Sequence, residues 1–170
     1  MLDFLKPDLY VPSVLKIPLA ELKRRGLRGL ILDLDNTIAE WNRPVVDPEM
    51  VAWLNGLSGQ GLKACLVSNS LHRRVGPVAK TFGLPAVPRA GKPRRRAFRQ
   101  AMSLLGLGPQ ETAMVGDQLF TDILGGKRLG LYTVLVVPIS QREFIGTKVI
   151  RRLERMAIRA MGVREGEGLV

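Results

Sequence analysis

Five short apolar runs, residues 29–35, 62–67, 85–88, 112–116 and 132–137, alternate with segments that read as helix. Strands that alternate with helices belong in a parallel sheet, since a parallel return needs a crossover long enough to hold a helix. The boundaries are punctuated accordingly. Asp47-Pro48 opens the first helix as cap residue and first-turn proline, and Gly83 closes the second. Pro93 opens the third, Gly106 ends it, and Gly130 ends the fourth just before Tyr132 begins the last strand. The expected fold is α/β, a three-layer α/β/α sandwich around a central parallel sheet.

In open sheets of this kind the ligand crevice lies beyond the carboxyl ends of the strands. Four of the five runs end there in polar residues: Asp33-Leu34-Asp35-Asn36-Thr37, then Ser68-Asn69, then Gly91-Lys92-Pro93, then Gly116-Asp117 with Asp122 five residues on. Positions i and i+2 of a strand share a face, so Asp33 and Asp35 start on one side of the chain. Two like charges so close need a counter-charge, and clusters of carboxylate oxygens are what Mg²⁺ takes. Read alone, the first motif is also compatible with an Asp-rich turn, because Asp and Asn bond their own backbone in turns. Four polar sites at strand ends imply one shared crevice.

A length of 170 residues fits a single domain. Its core is expected over about residues 27–140, with a basic amphipathic C-terminal helix at about 141–162. Hydrophobic and charged fractions of 46% and 24% are those of a globular protein, so disorder is not indicated. Lys and Arg outnumber Asp and Glu by 26 to 15, and the net charge of +11 implies an anionic partner. The lone Cys65 excludes an internal disulfide, and its apolar surroundings suit buried packing rather than nucleophilic chemistry. No apolar run approaches the roughly 18 residues of a membrane span, and Met1 to Leu5 carry an early acid with no basic stretch. A cytoplasmic location is expected.

These motifs resemble those of the haloacid dehalogenase superfamily of phosphohydrolases: ILDLDNT first, LVSNS second, Lys92 third and GDQLFTD fourth, spread over residues 30–122. A closer resemblance, to the YqeG-type subgroup and the mitochondrial phosphatidylglycerophosphatases, rests on PDLYVPSV, on GDQLFTDILGGKRLGLYTVLVVP and on the basic C-terminal segment. The resemblance implies a Rossmann-like core. It also implies Asp33 as nucleophile, forming an aspartyl-phosphate, and Asp35 as the acid that protonates the leaving oxygen and then activates water. Mg²⁺ would be held by the Asp33 carboxylate, the Asp35 backbone carbonyl and Asp117, with Asp122 behind it. Thr37, Ser68, Asn69 and Lys92 would meet the substrate phosphate.

Each residue also has a plainer reading. Ser68 can be an ordinary helix cap, Lys92 a solvated lysine, Thr37 a turn stabiliser and Asp122 a cap. His72 reads as an exposed helix residue, and Trp41 as packing in the flap that follows the first motif. The gaps between Asp35 and Ser68 and between Ser68 and Lys92 leave no space for a cap domain. An open site suits a large substrate or one presented by a surface.

Basic residues gather at Lys23 to Arg28, at Arg89 to Arg99 near Lys92, and at Lys148 to Arg164. In the last segment Val149, Leu153, Met156 and Ala160 form an apolar stripe beside Lys148, Arg152, Arg155 and Arg159. That stripe either docks on the sheet or lies on anionic lipid in peripheral contact with a membrane. The closer resemblance implies an anionic phospholipid head group as substrate, phosphatidylglycerophosphate. Alternatives are a phosphatase of nucleotides, sugars or proteins, or a basic RNA- or ribosome-associated scaffold. An aromatic fraction of 5% offers few stacking platforms for nucleic acid.

Overall fold

The computed structural model of the chain describes residues 3–41, 46–140 and 145–166, with side chains from Ile150 onward in the last stretch. Six parallel strands form one sheet: β1 (Leu9–Val11), β2 (Gly29–Leu32), β3 (Lys63–Val67), β4 (Ala86–Val87), β5 (Thr112–Gly116) and β6 (Tyr132–Val136). Their spatial order is β1-β6-β5-β2-β3-β4. The expected sandwich is present, with one strand more than the apolar runs indicate. Strand β1 lies outside the expected core boundary and pairs with the edge of β6, Leu9 opposite Val134 and Val11 opposite Val136.

The period of two assigns the faces. Leu30 and Leu32, Ala64 and Leu66, and Ala113 and Val115 share one core with helices α1 (Leu19–Arg24), α2 (Pro48–Gly59) and α3 (His72–Phe82). The residues between them, Ile31, Cys65 and Met114, face the other way onto α4 (Arg95–Leu105), whose Phe98 and Ala101 are fully buried. Central strands buried on both faces are near-continuously apolar, as these are, with Thr112 at the start of β5 the exception. Burial pushes the Cys65 thiol up to about 12, so at neutral pH it packs as an apolar group.

The helix ends follow the expected chemistry. The Asp47 side chain accepts from Glu49 N–H at 2.9 Å ahead of Pro48. Gly83 and Gly106 close α3 and α4 in left-handed conformations at φ 61° and 65°. Short helix α5 (Leu124–Lys127) continues a π-helical turn, Leu119–Ile123. Gly125 in α5 packs against the Phe98 ring so closely that any side chain there would overlap it.

The last helix, α6 (Ile145–Ala160), falls within the expected segment but docks by another face. Glu154 is 3% exposed, and Ala157, Ile158 and Met161 pack on a small core with Leu119, Ile123 and Leu135. Leu153, Met156 and Ala160 of the apolar stripe face solvent, so of the two readings of the stripe, docking on the sheet does not hold. An internal ion pair on the buried face displaces it. Val149 lies outside the residues whose side chains are described. Among the described residues no helix is long and apolar enough to cross a membrane.

Candidate active site

Strand β2 ends at Leu32, yet its ladder continues one step further, Asp33 N–H donating to Val115 carbonyl at 2.9 Å. This carries Asp33 to the carboxyl edge of the sheet with its side chain buried. The chain then reverses at Asn36, whose φ of 62° is left-handed and easiest for Gly, Asn and Asp. Asn36 binds the flap on both sides: its Oδ1 accepts from Trp41 N–H at 3.3 Å and its carbonyl from Ile139 N–H at 2.9 Å.

Three strand ends, those of β2, β4 and β5, converge on the charged centre. Lys92, beyond β4, donates from Nζ to Asp33 Oδ1 at 2.5 Å and to Asp122 Oδ1 at 2.6 Å, and all three side chains are buried. Asp117, just beyond β5, completes a cluster in which ligand oxygens of Asp33, Asp117 and Asp122 lie within 4.8 Å of one another. The Thr37 hydroxyl sits 3.2 Å from both Asp33 Oδ2 and Asp117 Oδ1. Gly116 is required here, because a Cβ at this position would overlap the Asp122 carboxylate. Asp122 Oδ2 in turn accepts from Gln118 N–H at 3.1 Å.

Electrostatics show what this arrangement demands. Burial, reinforced by the charges of Asp122 and Asp117, raises the Asp33 carboxyl well above the usual range against the pull of Lys92. Asp117 is pushed up to about 6, chiefly by burial, although Arg151 draws it down. Lys92 is itself raised, because two carboxylates outweigh its desolvation, and it stays charged. Three carboxylates against two cations leave an excess negative charge at the centre of the cluster. An all-oxygen donor set with Asp33 Oδ2 and Asp117 Oδ1 free of cationic partners among the described residues fits a hard divalent cation.

The expected residues separate into two groups. Asp33, Thr37, Lys92 and Asp117 meet, and Asp122, which the resemblance puts behind the cluster, joins it directly. The Asp35 carboxylate turns elsewhere. Its Oδ2 accepts from Ser68 and Ser70 hydroxyls at 3.0 and 2.6 Å, and its Oδ1 pairs with Arg74 of α3. Asn69 engages the Lys92 backbone at both ends of its amide, at 2.8 and 3.4 Å, and so positions the lysine loop. His72 is exposed at the start of α3.

Two residues of α6 escape sequence reasoning. The Arg151 guanidinium pairs with the Asp117 carboxylate and donates to the Asp117 carbonyl at 2.5 Å. Glu154 accepts from Arg151 at 3.1 Å and from Phe120 N–H at 3.3 Å. The available signal is a single acid in an otherwise basic helix, three residues after an arginine. Beside Asp117, a cavity of about 430 Å³ lies between β6 and α6, with Leu135, Val137 and Ile158 on its apolar side and Arg151 and Arg155 on its basic side.

Glu154 makes this docking sensitive to pH. Burial pushes its carboxyl from 4.5 to about 7, against the opposing pull of Arg151 and with a contribution from Asp117. A raised folded value means stability that is full below the unfolded pKa and is lost as pH rises through about 7. Glu154→Gln is therefore expected to gain stability over wild type as pH rises from about 4.5 to 7, by on the order of 2 kcal/mol. Thermal melts of both proteins across that range check it; a difference independent of pH would refute it.

A family model described as haloacid dehalogenase-like hydrolase matches residues 15–130. The chain is 37% identical over 158 residues to the protein named probable phosphatase YqeG of Bacillus subtilis, covering 93% of this chain and 92% of that one. It is 30% identical to the chloroplastic phosphatidylglycerophosphate phosphatase 1 of Chlamydomonas reinhardtii over 87% of its own length, and spans 59% of that protein. Among solved structures, the cobalt-bound deoxy-D-mannose-octulosonate 8-phosphate phosphatase of Haemophilus influenzae shares the fold at a TM-score of 0.53 and 13% identity, over 82% of this chain and 92% of that one.

Proposed function

The chain belongs to the haloacid dehalogenase-like hydrolases, and from that premise we propose that it is a Mg²⁺-dependent phosphatase that releases phosphate from phosphatidylglycerophosphate through an aspartyl-phosphate on Asp33. The observation that carries the chemistry is the buried convergence of Asp33, Lys92, Asp117 and Asp122 from the ends of three strands. The likeness to a phosphatidylglycerophosphate phosphatase over 87% of the chain supports the substrate.

Asp33 and Asp117 would hold the cation with the Asp35 carbonyl, and Asp122 would steady them. Bound there, Mg²⁺ supplies the positive charge that lets a phosphate dianion enter among carboxylates. An Asp33 carboxylate oxygen attacks phosphorus in line, and the bond from phosphorus to the leaving oxygen breaks. Lys92 keeps Asp33 aimed and offsets charge on the transferring group. Asp35 gives its proton to the leaving oxygen, then takes one from the water that cleaves the aspartyl-phosphate. To do so it must part from Arg74, which frees that guanidinium for the phosphate. Ser68 and Thr37 would offer their hydroxyls to phosphate oxygens. The cavity beside Asp117, apolar on one side and basic on the other, suits a glycerol leaving group that carries a phosphodiester.

Phosphate release is measured from phosphatidylglycerophosphate in vesicles, from glycerol 3-phosphate and from a nucleotide panel, with Mg²⁺ or with chelator. The lipid is expected to be the best substrate by kcat/KM, with activity lost on chelation and restored by Mg²⁺. Lipid turnover no faster than that of the small esters removes the phospholipid assignment and leaves a general phosphatase.

A further inference from the structure

Helix α6 buries the Arg151–Glu154 pair beside Ala157 and Ile158 and leaves a second apolar stripe outside, where an ordinary surface helix is polar. Ile150, Leu153 and Met156 are 43%, 52% and 60% exposed. Eight large apolar side chains are exposed among the described residues, and three more of them stand at the crevice. Trp41 and Ile139 are both bonded to Asn36, and Leu71 follows Ser70, whose hydroxyl holds Asp35. Arg151 ties α6 to Asp117, so six of the eight belong to the crevice rim or to the helix beside it. Such a concentration marks a binding face rather than scattered exposure.

We propose that this face, the stripe of α6 together with the rim of the crevice, is a docking surface for an anionic phospholipid bilayer. Charge complementarity selects that occupant. Arg152, Arg155 and Arg159 run along the stripe, exposed and without an ion pair among the described residues, in a chain of net charge +11. A second copy would bring the same arginines against themselves. Nucleic acid would meet the arginines but leave the aliphatic stripe unused, and the stripe carries no stacking ring. An anionic bilayer uses both, its head groups taking the guanidinium charges while Leu153 and Met156 enter the acyl boundary. Docked in this way, the uncapped crevice faces the lipid surface. The inference goes beyond the substrate assignment and does not depend on it, because bilayer contact is measured with no phosphomonoester present.

The experiment uses the full chain in co-sedimentation with phosphatidylcholine vesicles, with or without phosphatidylglycerol. Binding is expected with the anionic vesicles alone and is weakened by salt. Leu153→Asp/Met156→Asp should lower the partition coefficient by roughly tenfold or more, with circular dichroism and turnover of a soluble phosphomonoester unchanged, since both positions face solvent. In a Trp53→Phe background, emission of Trp41 should shift blue on anionic vesicles as the rim enters the interface. Absence of vesicle binding, equal binding by the double variant, or bound protein with Trp41 unshifted overturns the proposal. So does RNA binding or self-association that the double variant abolishes while vesicles stay unbound.

Discussion

Asp33→Asn is expected to lower phosphate release by at least about 10³-fold while leaving the protein folded, the usual scale for losing a covalent nucleophile. The physical reason lies in the cluster. Asp33 is buried, and burial with two neighbouring acids makes its ionised form unfavourable to the fold. An amide of the same shape removes one of three crowded carboxylates, and Lys92 keeps Asp122 at 2.6 Å. Function is therefore lost with stability equal to or above that of wild type, as Tm and phosphate release measured on the same preparation will show. A stable variant that retains turnover would remove Asp33 from the reaction.

Lys92→Met is expected to act on the fold itself. Its ammonium is the only cation that the described residues place against both Asp33 and Asp122, and the side chain is 3% exposed. Without it two buried carboxylates face each other and Asp117 with no compensation at that end. Breaking a buried pair by removing one partner costs about 3–5 kcal/mol, far more than removing the pair together. Urea denaturation should show a loss of that size for Lys92→Met and partial recovery in Lys92→Met/Asp122→Asn, a non-additive pattern expected of groups in contact. Two losses that simply add would contradict the geometry.

How much of this was legible in the sequence depends on whether the cause was local. Turn chemistry after an apolar run is local, so Asp33, Ser68, Lys92 and Asp117 announce themselves at strand ends. The alternation of runs and helices likewise gives the parallel sheet, and the short gaps between Asp35, Ser68 and Lys92 leave no space for a cap domain. Strand β1 does not show, because three residues set between Pro7 and Pro12 carry no measurable period. The place of Asp122 depends on a π-helical turn and on the missing side chain of Gly116, and neither follows from a 3.6-residue count. Arg151 meets Asp117 across 34 positions of sequence, a purely tertiary event. In helix α6 the sequence leaves open which face docks: its apolar stripe suits the sheet or a lipid surface, and the Arg151–Glu154 pair, satisfied by Asp117 and Phe120 N–H, takes the interior while the stripe faces outward.

Catalysis requires Asp33 to receive the phosphoryl group while Lys92, Asp117 and a divalent cation hold the charge. Acid-quenched mass spectrometry of the full chain, sampled during turnover of a phosphomonoester with Mg²⁺, addresses this directly. A mass increase of one phosphoryl group is predicted, mapping to the peptide that carries Asp33 and absent from Asp33→Asn. Turnover with that peptide unmodified throughout, or with the phosphoryl group on any other residue, would contradict it.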